Sequence, residues 1–349
     1  MDKRFLVVFG ACLTQFTVIG VLFAYGLFVK ELEAEFGWSR TFLSACSSAA
    51  FLMMGVLAIG GGRLSDRFGP RPVLAAAGLT YGVGVALMSQ VAAPWQLFAV
   101  FATFVAIGMS THDVVTLSTI AKWFERRRGI MSGVVKVGTA AGQMTVPLIA
   151  AALIAAFGWR GALLALGVAA GALLLVAALA MSRPPDGPGG RSGAPGMDFV
   201  EARRSRPFRT LCAIQFLFFP ALMSVPLHLV VHAQDLGFTP TAAASLLSAV
   251  AGASVAGRLI VGGFADRIGG RNAFVLCFIP LIAGLLAFAE IETATALFLA
   301  GAVYGFAHGG LFTVVSPTVA SYFGMRAHGA IFGMILFCGT VGGAVGPIA

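Results

Sequence analysis

Apolar residues along this chain do not alternate with polar ones; they run together in long stretches separated by short polar breaks. A helix needs about 20 apolar residues to cross the hydrocarbon core of a bilayer. Eleven stretches approach or exceed that length: Phe5–Val29, Thr41–Gly61, Pro72–Ser89, Trp95–Ile120, Ile130–Ala156, Gly161–Met181, Phe208–His232, Thr241–Val261, Ala273–Ala289, Thr295–Ser316 and His328–Ala349. The pattern predicts an all-α membrane protein. The first stretch exceeds a signal-peptide core and is not followed by a small-residue cleavage site, so it reads as a retained helix.

The breaks are short except for residues 182–207, a segment rich in Pro, Gly and Arg. This composition predicts a linker between a six-helix bundle, 1–181, and a second bundle, 208–349, with five spans. Short motifs recur between the two parts at an offset of 200. The run from Gly62 through Asp66, Arg67 and Gly69 to Arg71 returns from Gly262 through Asp266, Arg267 and Gly269 to Arg271. Gly37 before Ser39 matches Gly237 before Thr239, and Gly129 with Gly133 matches Gly329 with Gly333. An even number of spans between copies makes the two halves parallel repeats. A six-plus-six design requires a twelfth span beyond Ala349, so the second half is expected to be one helix short.

Composition agrees: 58% of residues are hydrophobic, 11% are charged and mean hydropathy is +0.93. The net charge of +9 does not signal nucleic acid, because the basic residues alternate by loop. Lys3, Arg4, Arg63, Arg67, Arg71, Lys122, Arg126 to Arg128, Arg183, Arg191, Arg203, Arg204, Arg206, Arg209, Arg267, Arg271 and Arg326 fall on one side; Lys30, Arg40 and Arg160 fall on the other. The positive-inside rule predicts a cytoplasmic N-terminus and linker, in a multi-pass protein of a bacterial inner (plasma) membrane. The five cysteines lie singly in apolar spans and read as small core hydrophobes.

The repeated GxxxDRxGxR loops resemble the signature of the major facilitator superfamily, and the resemblance covers the whole chain. It implies the major facilitator fold, two parallel-repeat helical bundles, and a conformational latch formed by Gly62, Asp66, Arg67, Arg71, Asp266, Arg267 and Arg271. In that latch the glycines allow close helix approach, and the aspartates accept from a helix N-terminus or pair with arginines. Within the superfamily, the stretches from Tyr25 to Arg40 and from Trp123 to Gly129, and His228-Leu-Val followed by Asp235-Leu-Gly, resemble the monocarboxylate porters and the oxalate/formate antiporters. Arg258 stands in the eighth span where that group carries its substrate-binding arginine. Two positions depart from animal members: Ser254 replaces an aspartate and Phe23 replaces a lysine, so their proton coupling does not carry over directly.

Ionisable groups at bilayer depth are functional candidates because lipid does not solvate them. Arg258 lies about two turns before Asp266, and its guanidinium matches a carboxylate; it can equally be a structural, snorkelling arginine. Ser132, Lys136, Thr139 and Gln143 share one face of the fifth span. Lys136 can join Arg258 in binding an anion, or be neutralised by Asp113 in the fourth span. Asp113 and His112 are the proton-coupling candidates. His228 and Tyr304 can line the substrate path. The pair His228 and His232 lacks the further ligands of a zinc site, so neither metal nor cofactor is expected.

Together these readings predict secondary active transport of a small mono- or dicarboxylate by alternating access, proton-coupled or anion-exchanging. The expected partners are that anion, protons and the lipid bilayer, and the chain is expected to be monomeric. GxSxG, HExxH and Walker-type loops are missing from the sequence, which argues against an enzyme or a nucleotide-driven pump. A drug-type exporter and a non-transporting membrane sensor are the alternatives.

Overall fold

The computed structural model describes residues 2–185, 196–291 and 293–345. Helices occupy all eleven expected positions, although residues 186–195 of the linker and 346–349 of the last stretch lie outside the described residues. The first four helices are α1 (Lys3–Phe36), α2 (Arg40–Phe68), α3 (Pro70–Leu87) and α4 (Pro94–Trp123), the last with a π turn at Phe101–Val105. The helical stretch Arg128–Ala180 breaks at Gly158 (φ 67°, ψ 170°), giving α5 (128–157) and α6 (159–180). A short helix α7 (Phe199–Arg204) precedes α8 (Arg206–Asp235). The stretch Pro240–Glu290 breaks at Gly269, giving α9 (240–268) and α10 (270–290), followed by α11 (Ala294–Phe323) and α12 (His328–Val345).

The sequence repeat becomes a repeat of local structure. Gly37 and Gly237 take positive φ (67° and 83°), and Ser39 and Thr239 then cap α2 and α9 by accepting from the amides of Phe42 and Ala242. Gly69 (φ 94°, ψ 168°) and Gly269 (φ 78°, ψ 159°) turn the chain between α2 and α3 and between α9 and α10. That backbone conformation disfavours any residue with a Cβ.

Burial follows the logic of a lipid solvent. Large apolar side chains such as Leu148, Leu217 and Trp95 point outward, while Gln15, Thr116, Lys136 and Arg258 are buried inside the bundle. Two differences from the hydropathy reading have simple causes. Helix α1 continues past Val29 to Phe36, because the Lys-Glu-Leu-Glu-Ala-Glu run that ends the apolar stretch is itself helix-forming. The linker contains α7, started by Asp198, whose side chain accepts from the Glu201 amide.

Candidate functional site

Helices α5 and α9 from opposite halves cross, and their register sets the centre of the molecule. At the arginine-rich end the Asp266 carboxylate takes the amides of Gly129 (2.6 Å) and Ile130 (3.0 Å). One turn inward, a Cβ on Gly133 would collide with the Arg258 carbonyl. Deeper still, the Arg258 guanidinium donates from Nη1 to the Lys136 carbonyl at 2.5 Å. Lys136 lies seven residues beyond Gly129 and Arg258 eight before Asp266, so each sits about two turns from the anchored end.

Around this crossing the polar side chains form one network. Lys136 makes an ion pair with Asp113 of α4. Gln15 of α1 donates to Asp113 (2.8 Å), to the His112 carbonyl (3.0 Å) and to Thr116 (3.2 Å), and accepts from Thr139 (2.9 Å). His112 places Nε2 3.6 Å from Asp113. Lys136 and Arg258 also share the ring of Phe312 from α11, 5.1 and 6.0 Å from its centroid. Both cations are only 3% exposed. Among the described residues, Arg258 makes no ion pair, and its Nε has no hydrogen-bond partner. The centre therefore holds a guanidinium and an ammonium against a single carboxylate.

The structure brings Arg258, Lys136, Asp113 and His112 together and leaves the other expected site residues apart. Gln143 is half-buried on the same face of α5. Tyr304 is fully buried and donates to the Ala221 carbonyl (3.1 Å), which ties α11 to α8. His228 is exposed towards the far end of α8. Phe312 had no sequence signal, being one of 30 phenylalanines.

At the arginine-rich end the two repeated aspartates act alike. Asp66 takes the Gly329 amide at the start of α12 (3.0 Å) and pairs with Lys122 (2.9 Å), as Asp266 takes the start of α5. Each carboxylate thus caps a helix of the opposite half, where the helix dipole favours negative charge. Close packing of Gly62 on Gly329 and of Gly129 on Gly262 leaves no room for a Cβ. The arginines of the motif do other work. Arg71 holds the Leu179 carbonyl (2.8 Å), Arg67 lies over Phe68, and Arg267 and Arg271 are exposed.

A bundle of apolar helices with a buried polar crossing between two repeated halves is the architecture of a polytopic membrane transporter. The chain belongs to the Major Facilitator Superfamily, whose sequence profile matches residues 8–347. It is similar to "Monocarboxylate transporter 13" of Bos taurus, 28% identical over 98% of this chain and 80% of that protein. It also resembles "Agnestins efflux protein AgnL12" of Paecilomyces divaricatus, at 26% over 99% and 79%. In fold it is similar to FucP in the outward conformation, with a TM-score of 0.77, 16% identity, and coverage of 99% of this chain and 90% of that one.

Proposed function

We propose that this transporter carries a small organic anion with a carboxylate bound at Arg258. The observation that carries this reading is the buried guanidinium at the interface of the two halves that makes no ion pair among the described residues. With Asp113 balancing Lys136, one positive charge is left over, and that excess supports a single carboxylate in preference to two. The similarity to a protein named a monocarboxylate transporter points the same way. The caps made by Asp66 and Asp266 and the glycine contacts beside them join the halves at the arginine-rich end, which supports reading that end as a closed entrance in an alternating-access cycle. By the positive-inside rule that end faces the cytoplasm.

The coupling reading we favour is exchange of one anion for another. Asp113 is engaged by Lys136, Gln15 and His112 on the same oxygen, and exchange needs no titrating group. Net export is the second reading of direction, and it rests on the relative named an efflux protein.

The test is thermal unfolding of the purified protein with a panel of mono- and dicarboxylates, beside Arg258→Ala. Ligand at 100 times its Kd stabilises by about 2.7 kcal/mol. One or more monocarboxylates are expected to raise Tm in the native protein and not in the variant. An unchanged shift in Arg258→Ala would overturn the assignment.

A further inference from the structure

At the arginine-rich end a further contact between the halves lies outside the repeated aspartate motif. Ser118 of α4 and His328, the first residue of α12, place Oγ and Nδ1 2.8 Å apart. The other ring nitrogen, Nε2, is 3.0 Å from the Ser316 carbonyl of α11. A carbonyl only accepts, so Nε2 carries a hydrogen; in the neutral ring Nδ1 accepts from the Ser118 hydroxyl, and both nitrogens are then used. His328 is fully buried and Ser118 is 1% exposed.

The surroundings suit that neutral ring and not its charged form. Position 328 opens α12, where the helix dipole is positive. Lys122 of α4 and Arg128 of α5 lie close enough to act on the ring electrostatically. Asp66 of α2, the acid at this end of α12, is already engaged by Lys122 and the Gly329 amide. From α11 the contact receives the Ser316 carbonyl, and the ring of Phe332 in α12 tilts against the imidazole at 5.9 Å. The repeat sharpens the contrast. At the equivalent position 200 residues earlier stands Arg128, half-buried and always charged, donating to the Ala121 carbonyl at 2.9 Å.

We propose that His328 is a proton-operated release of the closed arginine-rich end: adding a proton to its ring weakens the contact with Ser118 and shifts the transporter towards the form open at that end. This rests on the reading of that end as a closing contact. The sign follows from linkage. The closed form holds the ring neutral and the open form lets water reach it, so the closed form binds fewer protons. It therefore loses population as pH falls through the range of a hydrated imidazole, near about 6.5, by at most about tenfold per pH unit for one proton.

The test is a distance measurement between spin labels placed across the arginine-rich end of the full chain in lipid, without substrate, between about pH 5.5 and 7.5. The native protein should show an open-to-closed ratio that rises by up to about tenfold on acidification. His328→Gln, whose amide can serve both Ser partners without titrating, should remain closed and flat with pH. Ser118→Ala keeps the imidazole and removes its partner, so its transition should move to higher pH. A full pH response in His328→Gln would overturn the proposal and assign the response to His112 or Asp113 at the centre. An unmoved transition in Ser118→Ala would also overturn it. A native protein that never opens at this end would remove the closing-contact reading as well, and would leave anion binding at Arg258 standing.

Discussion

At the centre of the protein the geometry assigns different tasks to three charged side chains. Asp113 neutralises Lys136, and Arg258 remains without an acid partner among the described residues. A buried charge that loses its partner costs about 3–5 kcal/mol, whereas replacing both members by apolar groups is often neutral. Asp113→Asn is accordingly expected to lower Tm in detergent, and Asp113→Asn combined with Lys136→Met to recover most of the loss. Equal melting of the single and double variants would show that Asp113 is not the counter-ion of Lys136. The charged members of this network were legible in the sequence, since an ionisable residue inside an apolar run stands out. The partnership of Gln15 was not, because a buried glutamine that ties helices looks the same along the chain as one that faces a cavity. His328 was hidden differently: it opens the last apolar stretch, where a histidine reads as the polar boundary of a span and signals no partner.

Helix positions were legible almost throughout, because hydropathy reports the segments that lipid must surround. Helix ends were less so. The extension of α1 to Phe36 and the helix α7 inside the linker depend on backbone propensity and capping, to which hydropathy is blind. The repeated glycines were visible as spacing, and the structure gives them two distinct jobs: Gly69 and Gly269 turn the chain, while Gly62 and Gly129 let helices of opposite halves touch. Overpacking a tight contact costs about 1–3 kcal/mol. Gly62→Val should therefore push α2 away from Gly329 and reduce the closed fraction at the arginine-rich end by about fivefold or more. Spin-label distances across that end measure it, and an unchanged distribution would mean that the glycine contact does not hold the end shut.

For the molecule as a whole, two parallel halves meet at one end through capped helices and at mid-depth through Arg258 and Lys136. The fold was readable from the repeat, since two copies of one loop motif at a constant offset require two copies of one bundle. What a single chain of letters does not carry is how close the halves approach, and that separation decides whether Arg258 faces Asp113, Lys136 or a ligand. The central claim is that a carboxylate bound at Arg258 is moved across the membrane, and the most direct test is counterflow. Proteoliposomes loaded with unlabelled monocarboxylate and held at equal pH inside and out are given the labelled acid. The native protein is predicted to accumulate label, and Arg258→Ala, folded to the same Tm without ligand, to remain at the level of empty vesicles. Equal uptake by the variant, or no uptake of any acid in the panel by the native protein, would contradict the account.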